Sequence, residues 1–355
     1  AATVRARSIV EPWTQTLAAV AFLFILPAAG LALSFILAKL AALVVALWPL
    51  VRTYGLPRGW HPHPLRIGRL AVVSMPLAGA DMVEWGTRKL DIALLGIFTS
   101  PAAVGVYYAA QQVASLPQKL KTSFEPILGP VITRNLREGN LTAIARQVCQ
   151  VGFWIIAVQA GIALALGIPG EGVMGLIGPE FVGGTGALAF LLAAEVAAAT
   201  AVVSEAALVY VARLRNLWVS LATIAVQAGL TVGGIMLVNR LGLNDNYRAA
   251  AAAAALMLSL GMASVVKAWI LSRILQEPVN SWRWPLVWAA APATLVGWAA
   301  TQFLPEWAEL AFGIPAILFV YGYVIWHKGF GPEDRVLFRR SVGPKGDAAD
   351  QPGDD

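Results

Sequence analysis

Apolar stretches of about 20 residues, the length needed to cross a hydrocarbon core as a helix, recur along nearly the whole chain, separated by short polar breaks. Trp13 to Ala29 and Leu31 to Val51 read as the first two spans, joined through Pro27 to Gly30. A third runs from about Ile67 to Phe98, and a very long fourth from Val104 to about Ile132. Leu141 to Gln147 reads as a short amphipathic surface helix capped by Asn140. Further spans are expected at about Val151 to Leu166, Ala187 to Val211, Leu217 to Val238, Ala249 to Leu271, Pro285 to Phe303 and Ala311 to Trp326. The fold class expected is all-α, a polytopic membrane protein of about ten transmembrane helices.

The third span departs from plain apolarity. Asp81, Glu84, Arg88 and Asp91 fall at i, i+3, i+7 and i+10, an arc of roughly 80° at 100° per residue. A charge at the bilayer centre costs about 2.5–3.5 kcal/mol on the insertion scale, so this stripe must face protein or water. One reading is a hydrated cavity with Arg88 as a fixed cation and the acids as protonation sites. The other is a structural pair of Arg88 with Glu84 or Asp91 that orders packing. Three acids and one arginine do not neutralise one another, which favours the cavity. Lys89 lies outside the arc, free to snorkel.

Other polar positions join the picture. Tyr108, Gln112, Ser115, Lys119 and Thr122 share a face of the fourth span, which Pro117 interrupts. Lys119 is the candidate cavity cation there, ahead of Lys121 and Glu125. Lys39 sits too deep in the second span for comfortable snorkelling, so it either lines a cavity or pairs with an acid elsewhere. Glu195 and Glu205 lie among alanines; Glu195 is a candidate proton carrier or a packing hydrogen bond, and Glu205 stands nearer the helix end.

Composition agrees with a membrane protein: 58% hydrophobic and 13% charged residues, with a mean hydropathy of +0.68, far from a soluble domain. The net charge of +6 would suit nucleic acid only if the basic residues clustered on one surface. They fall in alternate loops instead. With ten spans, one side collects Arg5, Arg7, Arg52, Arg58, Arg66, Arg69, Arg134, Arg137, Arg146, Arg213, Arg215, Arg273, Arg283, Lys328, Arg335, Arg339 and Arg340, and the other only Arg240 and Arg248. That asymmetry predicts cytoplasmic termini and no nucleic-acid partner. Cys149 is the only cysteine and reads as a core residue; no intrachain disulfide is possible, and the CxxC and Cys/His metal patterns are excluded. His61 and His63, between prolines with no acid nearby, read as loop residues rather than metal ligands. No cofactor, metal or catalytic residue is expected, because His61, His63 and His327 lie in loops or at a membrane edge, and no long external loop carries paired acids.

Several runs carry a family resemblance. Arg7-Ser8-Ile9-Val10-Glu11-Pro12, Ser74-Met75-Pro76-Leu77, Asp91 with Leu95-Gly96-Ile97-Phe98-Thr99-Ser100, Val104-Gly105-Val106-Tyr107, and Leu176-Ile177-Gly178-Pro179-Glu180-Phe181 together resemble lipid-linked oligosaccharide flippases. These form the polysaccharide-export branch of the multidrug/oligosaccharidyl-lipid/polysaccharide exporter superfamily. The resemblance covers nearly all of the chain. It implies a two-lobed, fourteen-helix exporter fold, of which this chain holds helices five to fourteen. Residues 1–51 would be the last two helices of the N-terminal lobe, 52–69 a basic cytoplasmic connection, and 70–275 the C-terminal six-helix lobe. Residues 284–327 would be two extra helices, and 328–355 a disordered cytoplasmic tail. The start at Ala1 rather than Met fits a piece of a longer polypeptide.

The resemblance further implies ion-coupled alternating access that moves an undecaprenyl-pyrophosphate-linked sugar across the bacterial inner membrane for surface polysaccharide biosynthesis. Arg88, Lys119 and Lys39 would hold the phosphates, with Gln112 and Tyr108 beside them, while Asp81, Glu84, Asp91 and Glu195 would bind the coupling ion. Partners would be the lipid-linked glycan, membrane lipid, and a polysaccharide polymerase with its assembly proteins. A multidrug or cation antiporter of the same superfamily is the alternative, and a membrane-embedded polysaccharide-modifying enzyme a more distant one. A purely structural subunit would leave the stripe idle.

Overall fold

Apolar runs cut off from water must satisfy their backbone groups internally, and helices do so within a single segment. The computed structural model describes residues 10–25, 29–55 and 63–331, and among these the regular elements are all helical. In chain order they are α1 (Glu11–Ile25), α2 (Gly30–Tyr54), α3 (Pro64–Phe98), α4 (Pro101–Arg137), α5 (Leu141–Gly167), the short α6 (Gly170–Gly175), a 3-10 turn at Pro179–Gly184, α7 (Thr185–Val211), α8 (Arg213–Arg240), α9 (Asp245–Leu275), α10 (Pro285–Phe303) and α11 (Glu306–Gly329). Among the described residues, six segments are long and apolar enough to cross a membrane: Ala32–Pro49, Leu141–Gly167, Pro179–Val211, Arg213–Arg240, Asp245–Leu275 and Glu306–Gly329. This is the pattern of a multi-pass membrane protein. The expected count was about ten. Among the described residues, α1 falls short at 15 residues, and α3, α4 and α10 are diluted by charged or other polar residues.

The chain divides into two compact units, Ala1–Met75 and Pro76–Asp355. The first holds the α1–α2 hairpin and the beginning of α3. Ala18, Ser34 and Ala38 are among its buried small residues. Gly30 lets α2 start close under α1, since a Cβ there would stand 2.9 Å from the Cβ of Phe22 and 3.0 Å from its carbonyl oxygen.

The second unit is built around α7 and α9, whose facing surfaces are mostly alanine. A Cβ on Gly186 would lie 3.6 Å from that of Ala250, and one on Gly261 3.9 Å from that of Ala197; small residues allow this approach where lipid removes the hydrophobic drive. Ser264 of α9 reaches into the α7 backbone, accepting from the Ala201 amide at 3.1 Å and donating to the Ala197 carbonyl. One core cluster joins α5, α7, α9, α10 and α11 through Phe153, Val203, Leu208, Leu271, Ala289 and Ile317. A second joins α3, α4, α7, α8 and α9 through Leu95, Tyr107, Ala110, Leu188, Ile235 and Ala252.

Local sequence explains most boundaries. The Ser100 hydroxyl caps α4 at the Ala103 amide (3.4 Å), Asn140 caps α5 at Ala143 (3.0 Å), and Asn244 caps α9 at Tyr247 (3.4 Å). Leu241 and Leu243 flank Gly242, whose φ of 68° suits the turn that ends α8. One expectation is corrected: Leu141 to Gln147 is not a separate surface helix. It is the first two turns of α5, because Ile144, Ala145 and Val148 are buried on one side while Arg146 stays exposed on the other. Pro117 lies inside α4, which continues through it, and Gln159 of α5 donates to the Pro117 carbonyl at 3.3 Å. Of the proposed connection and tail, residues 56–62 and 332–355 lie outside the described residues.

Cys149 is half-buried and ties down the segment between α9 and α10: its sulfur accepts from the Asn280 amide at 3.2 Å and contacts the Pro278 carbonyl at 3.7 Å. On the same helix, a Cβ at Gly152 would stand 2.8 Å from that of the buried Ser281. Gly152→Val is expected to destabilise the protein by about 1–2 kcal/mol, the lower part of the overpacking range because the non-helical segment can shift. Thermal unfolding of the detergent-solubilised variant measures it; an unchanged midpoint would mean that Ser281 moves aside freely.

Candidate functional site

Position on a helix fixes which side chains share a face, and α4 separates its residues sharply. Ala103, Tyr107, Ala110 and Ala114 are buried against the rest of the second unit. On another face, Tyr108 is 46% exposed, and Gln112 and Lys119 are exposed with it. The Gln112 amide donates to the Tyr108 hydroxyl at 3.2 Å, the Ser115 hydroxyl donates to the Gln112 carbonyl at 2.7 Å, and Lys89 Nζ of α3 sits 5.8 Å from the Tyr108 ring centroid. Open polar side chains and two lysines therefore share one face of this unit. Lys89, set aside on sequence grounds, belongs to it through its contact with Tyr108.

The stripe on α3 is only partly described. Asp81, Glu84 and Arg88 lie on the continuous helix, so the backbone keeps the spacing that puts them on one face, but their side chains lie outside the described set, as do those of Lys121 and Glu125. Asp91 can be placed, and it is not on an open face. It is completely buried: the Tyr107 hydroxyl donates to Oδ2, Gln111 Nε2 approaches the same oxygen at 3.4 Å, and the Ile92 amide donates to Oδ1 at 2.9 Å. Tyr107 and Gln111, one turn apart on α4, supply partners that draw Asp91 inside. Asp91 thus joins α3 to α4.

Glu195 of α7 is half-buried and accepts from Gln118 Nε2 of α4 at 3.3 Å. This sets a carboxylate beside the residue that precedes Lys119. Lys39 belongs to the first unit, where Nζ meets Glu11 Oε1 at 2.5 Å and lies 5.2 Å from the Phe35 ring centroid; of its two sequence readings, the paired one matches this geometry. His61 lies outside the described residues. His63 is described, and among the described residues no group of three or more His, Cys, Asp or Glu is arranged to hold a metal ion.

Sequence reasoning passed over one ionisable residue. Lys267, 5% exposed in the C-terminal third of α9, donates to Glu205 Oε2 of α7 at 2.9 Å and to the Ser220 hydroxyl of α8 at 3.1 Å. Asn216 Nδ2 of α8 holds the other Glu205 oxygen at 3.2 Å. The signal was available, since a lysine inside an apolar span calls for a partner, but 62 residues separate it from Glu205 and no helical spacing links them. Aromatic side chains ring the outside of the later helices: Trp282, Trp284, Trp288, Trp298, Trp307 and Trp326 are all at least half exposed, as residues at a membrane boundary are.

The model of a family described as polysaccharide biosynthesis protein matches residues 6–165, somewhat less than half of the chain and the part that carries α1 to α5. No curated protein and no solved structure matches the chain.

Proposed function

We propose that this protein is a transporter that moves a polyprenyl-pyrophosphate-linked oligosaccharide across the bacterial inner membrane during polysaccharide biosynthesis. The single observation that carries this reading is the open polar face of α4, with Tyr108, Gln112 and Lys119 in a row and Lys89 over the tyrosine ring. A bare lipid-facing helix does not carry such a row. A pyrophosphate needs cations, a sugar head needs hydroxyl and amide partners, and an aromatic ring offers a sugar its apolar face. Arg88, on the face of α3 that also bears Asp81 and Glu84, completes the set as a third phosphate-binding cation. The family match over residues 6–165 supports the same class of cargo.

In this reading Lys119, Lys89 and Arg88 bind phosphate, Tyr108 and Gln112 bind sugar, and Glu195 with Asp81 and Glu84 couples an ion to the movement. Asp91 keeps α3 and α4 together. The protein changes the side on which the cargo is exposed and breaks no bond.

The test is surface-glycan export in a strain whose own copy is replaced by variants. Lys119→Ala is expected to lower export about tenfold, the equivalent of about 1.4 kcal/mol, while Lys119→Arg keeps it and membrane levels stay unchanged. Full export in Lys119→Ala together with Lys89→Ala, combined with loss on removing Glu84 and Asp81, would transfer the reading to export of a cationic cargo.

A further inference from the structure

In the second unit, α7, α8 and α9 meet along a seam that is polar for much of its length. Asn216, Ser220, Thr223, Gln227 and Thr231 recur on α8 at helical spacing; all but Ser220 are buried, Gln227 and Thr231 completely. The row climbs about 22 Å at 1.5 Å per residue. α7 contributes Ser204 and Glu205, and α9 contributes Ser259, Ser264 and Lys267, all within helices apolar enough to cross a membrane.

The seam has a mouth. The Lys267 side chain is 6% exposed and its partner Glu205 is 42% exposed, so the pair is reached from the Glu205 side. Both residues lie within about 12 Å, along their helices, of the ends that carry Arg213, Arg215 and Arg273. Inward of this point, Ser204 Oγ and Thr231 Oγ1 are buried without a protein partner, and at the mouth itself Asn216 Oδ1 is likewise unmatched while its amide nitrogen holds Glu205. A buried polar atom left unmatched costs about 1–3 kcal/mol. Alanine or valine at Ser204 and Thr231 would pack equally well without that cost, so close helix packing alone does not account for these residues.

We propose that the α7–α8–α9 seam is a water-lined half-channel, open at the Glu205–Lys267 pair and closed at mid-depth near Thr231, that admits protons. Its ligand is water, along which a proton is relayed by exchange between hydrogen bonds without a hydronium ion having to pass the ammonium. The Lys267 ammonium repels a metal cation and the Glu205 carboxylate repels an anion. Serine and threonine hydroxyls donate and accept at once, as a chain of exchanging protons requires. This goes beyond the transport reading, which uses α3, α4 and Glu195 of α7, and neither depends on the other.

The test measures hydration directly. In the full chain carrying Cys149→Ser, single substitutions Ser204→Cys, Thr231→Cys and, as the dry reference, Ile235→Cys are reacted in membrane vesicles with a small uncharged methanethiosulfonate. Ile235 is fully buried one turn beyond Thr231 on the same face. Only a thiolate reacts, and a thiolate forms only where water reaches. Ser204→Cys and Thr231→Cys are expected to react at least tenfold faster than Ile235→Cys, unaffected by added sodium or phosphate. Equal rates at the three positions would overturn the half-channel, and protection by either ion would overturn the proton assignment. Hydroxyl-radical footprinting of the unaltered protein provides the second reading, free of folding defects: modification along Thr223 to Thr231 is expected, and an unmodified α8 would sink the proposal. Neither measurement reads export, so a failure here and a failure of the transport reading stay separable.

Discussion

Glu205→Ala is expected to cost about 3 kcal/mol of stability, whereas Glu205→Gln combined with Lys267→Met is expected to recover most of that loss. Breaking a buried ion pair from one side typically costs about 3–5 kcal/mol, because the remaining charge stays in a poor solvent. The lower end applies because Glu205 is 42% exposed and the pair is therefore only partly enclosed, while Lys267 is 6% exposed and would be left with the Ser220 hydroxyl alone. Replacing both members removes the stranded ammonium, and methionine fills the space of the lysine stem. The measurement is a double-mutant cycle on unfolding of the detergent-solubilised protein, with a coupling energy above about 1.5 kcal/mol expected from residues in direct contact. Additive effects of the two single changes would mean that the pair carries no energy of its own.

Asp91→Ala is expected to cost about 2–3 kcal/mol, with Asp91→Asn far milder. The alanine variant leaves the Tyr107 hydroxyl without its acceptor in a sealed interior, deprives Gln111 of the same oxygen, and opens a small void. Asparagine keeps an oxygen in place for Tyr107. Tyr107→Phe, which removes the donor and leaves the carboxyl group its Ile92 contact, should fall between the two. The same unfolding assay ranks the three. If Asp91→Ala were instead neutral for stability yet lost export, Asp91 would return to the coupling role that the sequence suggested.

Asp91 also shows where sequence pattern stops. A spacing of 100° per residue puts Asp91 at the edge of an arc with Asp81, Glu84 and Arg88, and the continuous α3 preserves that register. Periodicity says which residues share a face; the neighbouring helix decides whether the face is open. Tyr107 and Gln111 made that decision for Asp91, and nothing in the run Ile67 to Phe98 reveals them. On α4 the spacing was enough: Tyr108, Gln112, Ser115 and Lys119 were grouped from periodicity, and hydrogen bonds link the first three in the fold. The beginning of α5 was misread because the run Thr133 to Gln147, with Arg146 and Gln147 at its end, is polar and basic and looks like a surface segment. Polar residues on one side say little about the apolar residues on the other, and Ile144, Ala145 and Val148 turn that stretch into the buried start of a long helix. Lys267 escaped notice because its partner is remote in sequence. Only the folded chain brings α7, α8 and α9 together around it.

The Ser264 hydroxyl, set between the Ala197 carbonyl and the Ala201 amide, gives α7 and α9 a shared mechanical fate. A side chain inserted at a helix's own hydrogen-bond ladder is a recognised cause of bending, so α7 has a built-in fulcrum one turn long that α9 holds in its grip. Sliding either helix along the other must carry that grip along or tear it out. The two helices are accordingly expected to move as a single lever arm.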